Sequence, residues 1–240
     1  MIETRELTKI YEDGTVGVIG LNINVSPGEI FVMLGANGAG KTTTINLLLG
    51  FIEPTSGTAL INGIDVFKNP IDAKRYVAYV PEVVELYRNL TVRQNMDFFA
   101  KLGGKGNLKD KDYAEALERV GLSGGLLRTR AKNLSKGMKQ RVVLAMAIIK
   151  DAPAMIMDEP TVGLDPQGAS EFLQILRQLR DEGKAILMSS HDIFRAKQVA
   201  DRVGILVRGR LIKLLTSEEI AKEDLERLYL DYVEAYEVTP

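Results

Sequence analysis

The chain has 240 residues, 45% of them hydrophobic and 26% charged, a composition that suits one soluble globular domain with a substantial buried core. The formal net charge of −1 leaves no overall basic field to attract nucleic acid, and the absence of cysteine excludes a disulfide framework and thiolate chemistry and fits a cytosolic setting. The opening "MIETRELTKI" carries no apolar signal core, and the longest apolar run, Val142 to Ile149, is far short of the roughly 20 residues of a membrane helix.

Strand patterns come first. "IETRELTKIY" reads as β structure, as does "GLNINVS", where Leu21, Ile23 and Val25 alternate with Asn22 and Asn24. "PGE" turns the chain into "IFVML", a continuous apolar run of the kind buried in a parallel sheet. A glycine-rich loop follows, and then a helix of about three turns from Lys41, with Ile45, Leu48 and Leu49 as its apolar face. "EPTSG" closes that unit, and "TALING" and "YVAYV" read as further strands.

From about Val83 the pattern turns helical. Thr91 and Gln94 stand at capping-box spacing, with Val92, Met96 and Phe99 on one face. Asp110 is the expected cap of a second helix, with Tyr113, Leu117 and Val120 inward and Gly121 as its stop. A third runs from about Ser135 to Lys150 and buries Val142, Ala145, Met146 and Ile149. Strand–helix alternation then returns: "AMIM", a helix from Pro166, "AILMS", a short helix, a hairpin closed near Arg208-Gly209, and a last amphipathic helix near Thr216. Such alternation predicts an α/β fold with a mainly parallel sheet.

Gly35-x-x-x-x-Gly40-Lys41-Thr42 fits the P-loop pattern, which is one of the handful of short motifs with a known physical mechanism. Glycines let successive backbone N–H groups curl around a polyphosphate, and the following helix adds its free N–H groups and dipole. Lys41 can reach the β- and γ-phosphates, and the Thr42 hydroxyl can ligate Mg²⁺. The strand Ala154–Met157 ends in Asp158, which can hold the ion through water. Glu159 follows where the strand emerges, placed to polarise an attacking water. His191, the single histidine, follows "AILMSS", whose end should lie at the same sheet edge; there an imidazole can donate to a γ-phosphate.

"LSKGMKQR" lies just ahead of the Asp158 strand, and Ser135 and Gly137 open its helix as a second anion-binding terminus. Two anion sites in one chain point to two copies pairing head to tail, with each ATP between one P-loop and the other copy's helix start.

With these motifs in register, nearly the whole chain resembles the nucleotide-binding subunit of an ABC transporter: "GANGAGKT" as Walker A, "YVPE" as the Q-loop, "LSKGM" as the signature, "MIMDEP" as Walker B, "GLDP" at the D-loop and His191 as the switch histidine. The resemblance implies one ATPase domain over 1–240. Residues 1–82 and 151–240 would form the P-loop core with an N-terminal antiparallel β subdomain, and 83–150 an inserted helical signature subdomain. It implies ATP contacts from Tyr11 (stacked on adenine), Gly35, Asn37, Gly38, Ala39, Gly40, Lys41, Thr42 and Thr43. Ser135 and Gly137 would act in trans, with Asp165 communicating across the dimer. Glu159 and His191 would be catalytic, and Thr42, Glu82 and Asp158 would hold Mg²⁺.

Two positions depart from the family pattern. Lys136 and Met138 replace a glycine and a glutamine of the usual LSGGQ, and Glu82 stands where the Q-loop carries glutamine; a carboxylate can still meet Mg²⁺ but cannot donate an amide's hydrogen bonds. Both variants resemble the single-domain ATPases that serve small ABC-2-type, mostly export, permeases. The implied partners are a second copy or a related ATPase and an integral membrane permease, with no nucleic acid, at the cytoplasmic face of the membrane. Residues 192–240 leave room for only a hairpin and a short helix, where many importer ATPases append a regulatory domain. The stretch Val83, Val84, Leu86 and Tyr87 is the expected floor of a groove for a permease's cytoplasmic helix. The alternative is a soluble ABC-type ATPase working on nucleic acid or ribosomes.

Overall fold

The structure, a computed structural model, describes residues 1–222, 225 and 227–229. In chain order the first half contains β1 (Ile2–Ile10), β2 (Val16–Val25), β3 (Glu29–Leu34), α1 (Lys41–Leu48), β4 (Ser56–Ile61), β5 (Ile64–Asp65), α2 (Pro70–Arg75), β6 (Val77–Val80), α3 (Val92–Leu102) and α4 (Asp110–Arg119). The second half contains α5 (Lys136–Lys150), β7 (Ala154–Met157), α6 (Pro166–Asp181), β8 (Ala185–Ser190), α7 (Ile193–Val199), β9 (Arg202–Val207), β10 (Arg210–Thr216) and α8 (Ser217–Lys222).

The strands form two sheets. A six-stranded sheet has the order β10-β9-β3-β8-β7-β6, parallel except for the β9–β10 hairpin. A four-stranded antiparallel sheet has the order β2-β1-β4-β5. β3 is buried along its whole length because both faces are covered, and its side chains divide by parity. Ile30, Val32 and Leu34 join the apolar cluster shared with α3 to α6, while Phe31 and Met33 join the cluster under α1 and the antiparallel sheet. The same parity runs through β7 and β8, so the parallel sheet separates two cores.

Local rules account for most boundaries. Arg208 and Gly209 both have positive φ, 46° and 76°, the requirement of a two-residue hairpin turn. Thr91 caps α3 by a true capping box: its hydroxyl accepts from the Gln94 N–H at 3.2 Å, and the Gln94 side chain accepts from the Thr91 N–H at 2.9 Å. Gly121 takes φ 72° just past α4, as a helix stop should.

Three expectations are corrected. α1 has eight residues, about two turns rather than three, because Gly50 takes φ 65° and stops it. Asp110 is the first residue of α4, not its cap; Asp112 accepts the Lys109 N–H at 2.7 Å, while Asp110 is held by Arg93 at 3.0 Å. Phe99 is 38% exposed and Ala100 takes the buried position, so the stripe of α3 runs one residue later. The two-residue β5 and the six-residue α2 were not visible as patterns. The last helix begins at Ser217 as expected; the rest of the expected helix falls largely outside the described residues.

Candidate active site

The phosphate loop is shaped by two glycines with no room for a side chain. A Cβ on Gly35 would stand 2.7 Å from the Leu206 carbonyl oxygen, and one on Gly40 would stand 2.4 Å from that of Gly17. Gly40 also holds φ 103°, a conformation that L side chains avoid. Gly38, at φ 81°, has nothing within 4 Å and opens outward. β3 delivers the loop and α1 leaves it, so Ala36, Asn37, Gly38 and Thr42 are exposed while Gly35, Ala39 and Lys41 are buried.

Lys41 is 6% exposed. Its Nζ donates to the carbonyls of Gly35 at 2.7 Å and Ala36 at 3.2 Å and lies 3.4 Å from Glu159 Oε1. The ammonium is thus held beneath the loop, where a polyphosphate would need it.

Around this loop lies a cleft of about 600 Å³, lined by Tyr11, Gly17, Asn37, Gly38, Gly40, Lys41, Thr42, Thr43, Glu82, Glu159 and His191 among others. The Tyr11 hydroxyl hydrogen-bonds Thr43 Oγ1 at 3.2 Å, and Lys9 Nζ stands 5.5 Å from the Tyr11 ring centroid. Residues distant in sequence therefore meet here: the β1–β2 turn, the P-loop, the ends of β6 and β7, and the end of β8.

Asp158 and Glu159 follow β7 and are both buried. The Ser189 hydroxyl, fully buried on β8, donates to Asp158 Oδ1 at 2.6 Å and accepts the Glu159 N–H at 2.8 Å. Glu159 holds φ 43°, unusual for a side-chain-bearing residue, and this turns its carboxylate toward His191. Glu159 Oε2 lies 3.0 Å from His191 Nδ1 and accepts the His191 N–H at 3.4 Å. Glu159 Oε1 is buried without a hydrogen-bond donor; Lys41 is close enough for attraction but not aligned to donate. A buried orphan acceptor at the head of a phosphate cleft fits a base awaiting a proton from water.

The Tyr79 hydroxyl is pushed up to about 12 by burial first, then by the carboxylates of Asp158 and Glu82. Glu82 and Thr42 both line the phosphate cleft, and Asp158 stands next to Glu159 at the end of β7; carboxylate and hydroxyl oxygens of this kind suit Mg²⁺. Among the described residues no three His, Cys, Asp or Glu side chains gather into a metal cluster, so such an ion would draw its remaining ligands from Thr42, phosphate oxygens and water.

Ser135, Gly137 and Asp165 do not line this cleft. Ser135 is exposed and caps α5, its hydroxyl accepting the Met138 N–H at 3.2 Å. Asp165 caps α6 by accepting the Gly168 N–H at 2.7 Å. Lys136 lies across Gly163, where a Cβ would meet its Nζ at 2.3 Å, so the start of α5 rests on the Walker-B-following loop of its own chain. Sequence reasoning missed Ser189, Gly17 and Gln140, which is buried with its amide 3.5 Å from the Pro81 carbonyl. The pair of serines before His191 was the one available signal for Ser189.

A buried strand, a glycine loop closed by a lysine, and paired acids at the next strand's end define a P-loop nucleotide-binding ATPase. The family model described as ABC transporter matches residues 18–162. The chain is 41% identical to the bacitracin transport ATP-binding protein BcrA of Bacillus licheniformis, over 97% of this chain and 74% of that protein. It is 34% identical to the linearmycin resistance ATP-binding protein LnrL of Bacillus subtilis, over 92% and 70%. A bacterial ABC transporter cassette solved as a dimer superposes with a TM-score of 0.81 at 26% identity, over 90% of this chain and 99% of that one. This chain belongs to the ABC transporter family, as an ATP-binding subunit with ATPase activity.

Proposed function

We propose that two copies, or one copy and a related ATPase, close head to tail over two ATP molecules and drive a separate membrane permease, in the direction of export. The observation that carries this reading is the separation of the two anion sites: Ser135 and Gly137 do not line the P-loop cleft, and Ser135 opens its helix at an exposed position. Nucleotide bound to one chain then offers its γ-phosphate to the partner's signature. ATP favours closure because only the closed pair contacts it from both sides.

Within each site, the loop 35–43 and Lys41 bind the phosphates, and Tyr11 stacks on the base. Thr42, Asp158 and Glu82 would hold Mg²⁺, which would supply positive charge against the phosphates. Glu159 takes a proton from the attacking water through its orphan Oε1, and His191 orients Glu159 and senses the γ-phosphate. Asp165 reports across the interface. Residues 83–150 move as a helical unit against the core formed by 1–82 and 151–240. A groove of about 380 Å³ between them, lined by Val84, Leu86, Phe99, Leu102, Met146 and Lys150 among others, receives the permease's cytoplasmic helix; Leu86 is buried in its floor, whereas Val83 and Tyr87 stand exposed beside it. The relative named for linearmycin resistance supports export, since resistance is met by removing the compound. The chain then works at the cytoplasmic face of the membrane.

The test is Glu159→Gln. Its ATP turnover should fall about a hundredfold or more, and the variant should accumulate as an ATP-bound dimer by light scattering, while wild type returns to monomer as ATP is consumed. Equal turnover removes Glu159 from its role. Co-purification with nucleic acid instead of a membrane protein would replace transport with the soluble alternative.

A further inference from the structure

Beyond the permease groove, the segments 88–92 and 129–132 form a second built surface. They pair antiparallel: Val92 N–H donates to Thr129 O at 2.9 Å, Ala131 N–H to Leu90 O at 3.0 Å, and Lys132 N–H to Arg88 O at 3.1 Å, with Thr91 bridged to Arg130. The pairing gathers Arg88, Arg128, Arg130 and Lys132, all exposed, in a chain whose net charge is −1. None of the four side chains has an ion-pair partner among the described residues. The neighbouring carboxylates do not neutralise them: Asp97 and Asp110 are engaged by Arg93 and Lys101.

Beside this patch stands an aromatic cluster. Tyr87 packs edge-on against Phe98 at 5.2 Å and stacks over Phe99 at 6.3 Å, yet Tyr87 and Phe98 remain 52% and 39% exposed. Asn95, fully buried, fixes the Tyr87 backbone from both sides, accepting its N–H at 2.8 Å and donating to its carbonyl at 3.1 Å. The surface is therefore held in place rather than left as a loose loop.

Unpaired cations flanking exposed amphipathic rings are the side-chain pattern that anionic lipid headgroups select. We propose that this surface binds the anionic phospholipid face of the membrane. Exposed cations carried on two paired segments suit a negatively charged surface, and the exposed Tyr87 ring suits the headgroup boundary. Bound lipid would orient the ATPase beneath its permease, along the rim of the groove where Tyr87 and Phe99 stand.

The test is flotation of the full chain with vesicles of phosphatidylcholine alone or mixed in equal parts with phosphatidylglycerol. Wild type should float only with the anionic vesicles and be released by added salt. Each basic residue should strengthen binding about fivefold, so losing three charges should weaken it by about two orders of magnitude, and Arg88→Glu, Arg130→Glu and Lys132→Glu together should weaken it further, with ATP turnover unchanged. The milder triple change to Gln guards against misfolding and should give a smaller loss. Equal flotation with neutral vesicles, no flotation at all, or undiminished binding by both triple variants overturns the proposal. Loss of the co-purified permease from the charge-reversed variant, with no vesicle binding by wild type, assigns the patch to an acidic protein segment and overturns it as well; failure of the permease reading alone leaves the vesicle result standing.

Discussion

Ser189 connects the two acids more directly than any other side chain. Its hydroxyl donates to Asp158 and accepts from the Glu159 N–H within a fully buried setting. One hydroxyl thus fixes the peptide that carries Glu159 at its positive φ. Ser189→Ala removes a hydrogen bond to a charged group, worth about 1.5–3 kcal/mol when buried. Should Ser189 position Glu159, ATP turnover should fall about ten- to hundredfold while nucleotide affinity measured without Mg²⁺ stays near wild type. A matched loss of affinity and turnover would mean that the change merely loosens the cleft. The residues that bind phosphate were readable because Gly35 to Thr43 are contiguous and each does its work locally. Ser189 was not, because its role exists only once β7 and β8 lie side by side, which no local spacing encodes.

Elements were legible to the extent that their ends are set by neighbours in sequence. The Thr91–Gln94 box and the Arg208-Gly209 turn are local devices, and both appear as the residues dictate. Helix α1 fell short of its expected length because a glycine's φ, not the apolar spacing, decides where it stops. The start of α4 differed because Arg93 claims Asp110 from another helix, and long-range claims are invisible in a linear pattern. The same limit hid the pairing of 88–92 with 129–132. Asn95 shows what such pairing needs: its side chain serves Tyr87 and also donates to the Thr91 carbonyl at 2.9 Å. Asn95→Ala leaves the Tyr87 N–H without its partner, while the Tyr87 and Thr91 carbonyls still accept the Leu90 and Asn95 N–H groups at 3.0 Å each, and should cost about 1–3 kcal/mol. Thr91→Ala should cost about 1 kcal/mol through the lost cap. Chemical denaturation of the two variants checks the order, and Asn95→Ala should be the less stable. The reverse order would show that water readily replaces the asparagine.

At the scale of the molecule, the helices of residues 83–150 do not own a separate core. Val92, Met96, Tyr113, Leu117, Val142 and Ala145 share one apolar cluster with Ala78, Val80, Met155, Met157 and the inward face of β3. A movement of these helices during closure must then slide along that cluster without opening it to water, since exposing even a few such side chains costs about 1.5–3 kcal/mol each. For the proposed closure, hinging is expected at the connections, and the Gln140–Pro81 contact lies on one of them. A continuous cluster also binds the fate of the two parts together. The chain has eight tyrosines and no tryptophan, and Tyr113 is fully buried in the shared cluster, so tyrosine fluorescence reports on packing there while far-UV circular dichroism reports on helix throughout. In denaturant the two signals should change together in a single transition, and saturating ATP should shift that transition upward without splitting it. Loss of the tyrosine signal well before the helical signal would show that the helices of 83–150 unfold by themselves, and closure could then proceed by partial opening of the core instead of sliding along it.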